Sequence, residues 1–271
     1  MSSASAPVEI GRVALTVNDL EAVGRFYETA LGLQPLSRDG GTARYGAGDR
    51  VLLELRGDKA ARRASHREAG LFHTAFLMPD RPALARWLIH AAETRVPLQG
   101  ASDHLVSEAI YLADPEGNGI EVYVDRPRSA WAHDGKSIRM TTDALDLNGL
   151  ARSADGPWTG APDGMVVGHV HLQVGTLPEA EAFYNGTLGF DITTHYPGAT
   201  FYGSGGYHHH LGTNVWNSRN AGQRAQPATG LADVELLADA DSFATLTDRN
   251  GGKTALSDPW GTHVTLTRKA T

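Results

Sequence analysis

An internal repeat is the feature of this sequence that most constrains its fold. The stretch VNDLEAVGRFYETALGL, which begins at Val17, resembles VGTLPEAEAFYNGTLGF, which begins at Val174. Phe26 matches Phe183 at an offset of 157 residues (183 − 26), and the next Tyr and the later Gly match at the same offset. Each stretch follows a short alternating strand and predicts an amphipathic helix, because its apolar residues recur at three- and four-residue spacing. Each helix is predicted to end at a Leu-Gly pair, since glycine suits a left-handed cap.

Two weaker units repeat the same order of elements. One covers residues 71–125 and carries the predicted helix RPALARWLIHAAE, and the other covers residues 231 to about 267. Both end with similar tight turns, DPEG at Asp114 and DPWG at Asp258, in which Pro and Gly fit the turn positions. The sequence therefore predicts an α+β fold of four βαβββ modules, which we number 1 to 4 in chain order.

A long connection separates modules 2 and 3. Residues 126–165 contain three prolines together with Gly and Ser, and the stretch TTDALDLNGLARSA within them predicts a short helix. A connection of this length often has a functional or wrapping role. We therefore predict a first domain at residues 8–125, a linker at 126–165 and a second domain at 166–268.

Composition excludes several classes of function. The 271 residues include no cysteine, which rules out disulfides, thiolate nucleophiles and thiolate metal sites, and which fits a reducing compartment such as the cytoplasm. No apolar run approaches the roughly 20 residues of a membrane helix, and no signal peptide is expected at the start. The net charge is −7 and the one basic cluster, residues 59–67, is short, so nucleic acid is not an expected partner.

Three metal-ligand residues lie on otherwise apolar strands. They are His73 in LFHTAFLM, Glu121 in GIEVYVD and His169 in GHVHLQV. A carboxylate among apolar neighbours is costly unless it is paired or bound to metal, although Glu121 on a one-sided sheet would instead face solvent. Two histidines and one carboxylate form the facial triad that holds Fe(II) with open positions. His171 shares a strand face with His169 and is an alternative ligand or a group just outside the ligand set.

The other two modules lack these ligands. Module 1 has Arg12 where module 3 has His169, and module 4 has Thr265 where module 2 has Glu121. The site is therefore expected between modules 2 and 3, which pair either within one chain or by exchange of halves between two chains of a homo-oligomer. Modules 1 and 4 are expected to form a metal-free structural pair.

Paired βαβββ modules with His and Glu on cleft-facing strands resemble the vicinal oxygen chelate superfamily. The phrases ASDHLVSEAIYLADPEGNGIEVYVDRP, GHVHLQV and GGYHHHLGTNVW make the chain similar to its type I extradiol dioxygenases of the catechol 2,3-dioxygenase kind. The resemblance covers most of the chain and is strongest over residues 70–125 and 166–216. It implies curved mixed sheets around a metal cleft, and an Fe(II) enzyme, with Mn(II) as an option, that cleaves catechol or a substituted catechol with O2.

The resemblance also implies roles for individual residues. It assigns the metal to His73, His169 and Glu121, and it makes Tyr111 a hydrogen-bond partner of the substrate or of its leaving alkoxide. His104, shortly before that tyrosine, is the candidate substrate contact. The acid–base histidine falls within His208-His209-His210, where the family pattern selects His209. Strand alternation predicts that His209 points to one face while its two neighbours point to the other.

Two other functions remain open from the sequence. A metal-dependent isomerase or lyase of the glyoxalase type shares the fold and typically uses two Glu and two other ligands, whereas only one strand-borne Glu at the ligand position is visible here. A non-enzymatic small-molecule binding protein, like the antibiotic-sequestering members of the superfamily, usually lacks the metal triad. Metal content after anaerobic purification discriminates between the enzyme and the binding protein.

Overall fold

A computed structural model describes residues 6–270, and its elements follow the four predicted modules. Module 1 contains β1 (Val8–Val17), α1 (Leu20–Ala30), β2 (Gln34–Asp39), β3 (Thr42–Ala47) and β4 (Arg50–Gly57). Module 2 contains β5 (Gly70–Leu77), α2 (Arg81–Glu93), β6 (Leu98–Asp103), β7 (Ser107–Ala113) and β8 (Gly119–Asp125). The linker contains β9 (His133–Asp134), β10 (Ser137–Ile138), β11 (Asp143–Ala144) and α3 (Leu147–Ala151).

The second half of the chain repeats this order with one difference. Module 3 contains β12 (Val166–Gln173), α4 (Leu177–Glu181), a π-helical turn (Ala182–Thr187), β13 (Asp191–Tyr196), β14 (Ala199–Gly203) and β15 (Leu211–Asn214). Module 4 contains β16 (Gly230–Ala238), α5 (Ala240–Arg249), β17 (Ala255–Ser257) and β18 (His263–Arg268). The βαβββ prediction is wrong for module 4, in which two strands follow the helix within the described chain. Only the short segment 250–254 separates α5 from β17, which leaves no room for another strand and its turn.

The helices begin and end where their local sequences predict. Aspartate side chains cap several N-termini, as at Asp80, whose Oδ1 accepts a hydrogen bond from the Ala83 backbone N–H at 2.8 Å. Gly32 and Gly189 follow α1 and the π-helical turn with φ of 68° and 71°, so the predicted left-handed caps are confirmed. Among residues 6–270, no helix combines the length and apolar character that crossing a bilayer requires.

Two mixed sheets carry the fold. The nine-stranded sheet has the order β11-β6-β7-β8-β5-β12-β15-β14-β13, and the seven-stranded sheet has the order β17-β18-β16-β1-β4-β3-β2. Modules 2 and 3 join through the antiparallel pair β5–β12, and modules 1 and 4 join through β1–β16. Of the two pairings left open by the sequence, direct pairing within one chain is therefore observed. Each sheet combines one module from residues 8–125 with one from residues 166–268, and the predicted α+β class is confirmed.

Matching tyrosines tie the two modules of each half together. The Tyr27 hydroxyl in α1 donates to Asp114 Oδ2 in the turn of module 2 at 3.5 Å. The Tyr184 hydroxyl, at the repeat position in module 3, donates to Asp258 Oδ2 in module 4 at 2.9 Å. One apolar core continues through all four modules, so each half is packed internally while its strands extend into both sheets.

The linker packs back onto the protein. Its helix α3 confirms the short helix predicted there, and β11 extends the nine-stranded sheet beside β6. The β9–β10 hairpin follows Trp131, a buried residue that packs with Tyr207 of module 3. The segment thereby covers the face of the nine-stranded sheet where the predicted ligands lie.

Candidate metal centre

Three adjacent strands bring His73, Glu121 and His169 together, and we call these residues the triad. They lie on β5, β8 and β12, which are neighbours in the nine-stranded sheet in the order β8-β5-β12. Glu121 Oε2 lies 3.0 Å from His73 Nε2 and 3.3 Å from His169 Nε2. Ligand atoms from the three residues all fall within 4.8 Å of one another, and all three residues are buried. The structure thus gathers ligand atoms that are distant in sequence into a space the size of one cation site.

The protonation and bonding of the triad fit a divalent cation. Burial lowers the pKa of His169 to about 4, so its imidazole is neutral, which is the form that binds metal. Burial alone would raise the pKa of Glu121, but His169 and His73 outweigh it and hold that pKa well below the usual value. His73 Nε2 is buried and, despite its short distance to Glu121, makes no hydrogen bond. Two imidazoles and one carboxylate are a donor set suited to Fe(II) or Mn(II).

His171 lies beside the triad but outside it. Its strand register places it opposite His73, and the two ring centroids are 5.1 Å apart. Its Nε2 is buried without a hydrogen-bond partner, and burial, followed by the nearby histidines, holds its pKa well below the ordinary value. His171 borders the cavity described next, which fits the sequence alternative of a group just outside the ligand set.

A cavity of about 270 Å³ opens over the triad. Apolar and aromatic side chains form much of its wall, and the linker contributes one edge. Besides the triad, the lining residues are Phe72, Ser102, His104, Val106, Ser107, Tyr111, Met140, Thr141, Thr142, His171, Tyr196, Phe201, His209 and Trp216. The sequence predicted a functional role for the linker without identifying the residues that reach the cavity.

His104 and Tyr111 form a bonded pair in the cavity wall. His104 Nδ1 lies 2.6 Å from the Thr141 carbonyl oxygen, and His104 Nε2 lies 2.6 Å from the Tyr111 hydroxyl. A carbonyl only accepts, so Nδ1 carries a proton, and a ring with this one N–H accepts at Nε2 from Tyr111. Burial and then the charge of Glu121 raise the pKa of Tyr111 well above its ordinary value, which keeps this hydroxyl protonated. Both nitrogens of His104 are therefore engaged with protein groups.

The three consecutive histidines do not alternate along a strand. Residues 208–210 precede β15 in an irregular segment, so the predicted placement of His208 and His209 on opposite faces is wrong. The two side chains meet, with Nδ1 atoms 2.7 Å apart. His209 borders the cavity with its ring centroid 4.1 Å from that of His169, whereas the ring of His210 lies against Tyr207 and Phe190. A bend lets neighbouring side chains converge, which a pleated strand does not.

Sequence reasoning missed Asp125, which reaches this cluster from β8. Its Oδ1 lies 2.9 Å from His208 Nε2. The signal was present in GIEVYVD, because residues two apart on a strand share a face and Glu121, Tyr123 and Asp125 therefore point the same way. The Tyr123 ring packs 4.8 Å from that of His169, which confirms the shared face.

Comparison with known proteins agrees with this arrangement. A family model described as Glyoxalase/Bleomycin resistance protein/Dioxygenase superfamily matches residues 9–122 and 166–264. A curated relative named catechol-2,3-dioxygenase, from Bacillus subtilis (strain 168), is 44% identical over 237 residues, which is 85% of this chain and 83% of the relative.

Solved structures share the fold at low identity. A B. subtilis protein provisionally described as a dioxygenase superposes with a TM-score of 0.68 at 13% identity, covering 97% of this chain and 86% of that one. Glyoxalase I from Zea mays superposes with a TM-score of 0.57 at 15% identity, covering 97% and 93%. The family match and the 44% identical relative together show that this chain belongs to the glyoxalase/bleomycin resistance protein/dioxygenase superfamily.

Proposed function

We propose that this protein is an Fe(II)-dependent extradiol dioxygenase that opens the ring of catechol or a substituted catechol with O2, as a cytoplasmic enzyme. The observation that carries the proposal is the buried triad under a cavity, with two imidazoles and one carboxylate as donors. The 44% identical relative named catechol-2,3-dioxygenase supports the same reaction. The triad contains one carboxylate, whereas a glyoxalase-type isomerase is expected to use two Glu ligands.

The triad would hold the metal and leave one side open to the cavity. When bound there, Fe(II) supplies coordination positions for two catechol oxygens and for O2, together with the electron density that activates O2. The three ligands come from strands rather than loops, so the sheet itself fixes their separation. Mn(II) accepts the same donor types and is the alternative occupant.

His209 is the proposed acid–base group. Its ring borders the cavity next to His169, so it can take a proton from a catechol hydroxyl and return it later in the reaction. Burial, reinforced by the surrounding histidines, holds its pKa well below the ordinary value, so the free ring is neutral and able to accept. A positioned group of this kind contributes about 10²–10⁴-fold to rate.

Tyr111 is the proposed hydrogen-bond partner of the substrate oxygens. Because its own proton is directed to His104, its oxygen lone pairs remain available to accept from a substrate hydroxyl. His104 and the Thr141 carbonyl hold the tyrosine in this orientation. We therefore assign His104 a supporting role through Tyr111 rather than a separate contact with the ring.

The cavity wall favours an uncharged aromatic substrate. The described lining residues include no Lys or Arg, so no lysine or arginine in the described wall offers an ion pair to a carboxylate substituent. Phe72, Phe201 and Trp216 present aromatic surface, and Met140 and Val106 add apolar surface. A catechol that is unsubstituted or that carries a small apolar group matches this wall better than an anionic one.

The test is reconstitution without oxygen followed by turnover. Protein purified anaerobically and loaded separately with Fe(II), Mn(II) or Zn(II) is analysed for metal per chain, then mixed with catechol and O2. We expect one metal per chain, a yellow ring-opened product with the Fe(II) form, and both atoms of ¹⁸O2 in that product. Full metal loading without O2 consumption, for catechol and for apolar catechols alike, would refute the proposal.

A further inference from the structure

A row of hydrogen bonds runs from the end of β8 to the cavity wall. Asp125 Oδ1 lies 2.9 Å from His208 Nε2, and His208 Nδ1 lies 2.7 Å from His209 Nδ1. His208 is fully buried and does not border the cavity, whereas His209 does. Strand β8, which carries Glu121, is therefore also connected to His209, through Asp125 and His208 on the side away from the cavity.

The chemistry of the groups fixes the direction of each bond. A carboxylate only accepts, so His208 Nε2 donates to Asp125. With one N–H on each ring, His208 Nδ1 is then bare and accepts the proton of His209 Nδ1. His209 Nε2 is left as the bare nitrogen of its ring. A proton acceptor facing the cavity requires this tautomer, because the alternative presents an N–H there.

We propose that Asp125 and His208 are positioning residues that hold His209 in the tautomer with a bare Nε2, ready to accept a proton from the bound substrate. The role of His209 in turnover rests on the proposed function, whereas the hydrogen-bond direction does not. The inference follows from two distances and from the donor and acceptor capacities of the groups, so both parts are open to measurement.

Aromatic side chains surround Asp125 and His208. The Tyr207 hydroxyl also donates to Asp125 Oδ1 at 3.0 Å, and Tyr123 in turn donates to the Tyr207 oxygen at 2.8 Å. The His208 ring packs between Tyr207 and Trp131, with centroid separations of 4.1 and 5.1 Å. Two donors, the Tyr207 hydroxyl and His208 Nε2, therefore meet at the same carboxylate oxygen, and Tyr123 joins the cluster through Tyr207.

The direct test is NMR of protein labelled with ¹⁵N at histidine, which needs no turnover. Nitrogen shifts distinguish Nδ1–H from Nε2–H tautomers, and an N–H···N bond between two rings gives a through-bond nitrogen–nitrogen coupling. The His208→Asn and His209→Asn variants assign the signals. We expect His209 protonated on Nδ1, bare on Nε2, and coupled to His208 Nδ1. A proton on His209 Nε2 in the neutral ring, or no coupling, would overturn the inference.

Kinetic variants test whether this arrangement matters for turnover. Asp125→Asn should lower kcat by about 10–100-fold, as is typical for an outer partner of an active-site histidine, with metal content and KM little changed. His208→Asn should retain severalfold more kcat than His208→Phe, because an amide oxygen near the Nδ1 position can still accept from His209 whereas a phenyl ring cannot. Equal loss in the two His208 variants would indicate packing alone.

Tyr207→Phe is the matched control. It removes one hydrogen bond from the same carboxylate and disturbs the same packed cluster, but it leaves the bonds among Asp125, His208 and His209 in place. We expect a similar loss of thermal stability to Asp125→Asn and a kcat within a fewfold of wild type. If wild-type protein fails to open catechol, the proposed function fails, while the NMR result still decides the tautomer separately.

Discussion

The two sheets place different chemistry at matching positions. In the nine-stranded sheet Ala75 pairs with Glu121, and in the seven-stranded sheet Glu235 pairs with Thr265 at the corresponding step. His73, two residues before Ala75 on β5, therefore corresponds to Asp233, two residues before Glu235 on β16. On β12 and β1, His169 corresponds to Arg12 at the repeat offset of 157. By this register the triad positions of His73, His169 and Glu121 are occupied in the other sheet by Asp233, Arg12 and Thr265.

The seven-stranded sheet contains its own cation at this place. Arg12 Nη1 lies 3.3 Å from Asp233 Oδ2 and 3.9 Å from Glu54 Oε1, and the Thr265 hydroxyl donates to Asp233 Oδ1 at 2.8 Å. The guanidinium supplies the positive charge that the buried carboxylates require. The triad of the nine-stranded sheet includes no Lys or Arg, and we propose that a metal supplies the positive charge there. One backbone register thus carries metal-ligand residue types in one sheet and a closed ion pair in the other.

The largest difference between the two sheets is expected when the matching residues on β8 and β18 are truncated. Glu121→Ala should remove metal and turnover, because a site of three protein ligands has none to spare. Thr265→Ala, at the same step in the other sheet, should leave both unchanged. Metal per chain by elemental analysis and ring-cleavage rate are the measurements. Full metal occupancy in Glu121→Ala would mean that another carboxylate holds the cation.

A smaller loss of turnover is expected from a change at the cavity wall, at His209. His209→Phe should retain its metal, since His209 is not in the triad, but should lose about 10²–10⁴-fold in turnover as an acid–base group would. The control is His263→Phe, which changes an exposed histidine in the seven-stranded sheet. Both variants are compared with wild type at matched iron content. Near-normal turnover by His209→Phe would leave the triad intact as a metal site but without this proton acceptor.

Much of this arrangement could be predicted because it depends on local patterns. The repeat located the helices and their glycine caps, since these follow from spacing and from backbone conformation at Gly32 and Gly189. The triad followed from ligand-type residues on apolar strands, where burial makes a lone carboxylate costly. Whether modules 2 and 3 pair within one chain or between two chains could not be chosen from sequence, because module 3 of either chain offers the same strand edge to β5.

The remaining features depend on contacts between distant segments. The bend at residues 208–210 breaks strand alternation, and the His208 ring packs there against Tyr207 and Trp131, contacts that the His-His-His sequence itself does not indicate. The bond from His104 to the Thr141 carbonyl joins module 2 to the linker and has no local signature. Asp233 is likewise unremarkable in ADVELLA until the register places it opposite the arginine of module 1.

The smallest expected effect on turnover comes from the closed ion pair, and it tests whether the two sheets are independent. Arg12→Met should lower the free energy of unfolding by about 3 kcal/mol, because removing one partner leaves Asp233 buried without a compensating charge. Arg12 keeps some exposure, with 19% of its side chain accessible, which places the cost at the low end of that range. Combining the change with Asp233→Asn should recover part of the loss, since the two residues are in contact and their effects do not add.

Denaturant unfolding measures the stability of the two single variants and the double variant, and metal content with kcat measures the state of the triad. Because the ion pair belongs to the seven-stranded sheet, both readouts of the site should stay at wild-type values in folded protein. Loss of metal in Arg12→Met would show instead that the Arg12–Asp233 ion pair supports the triad across the core, and that the two sheets are not independent.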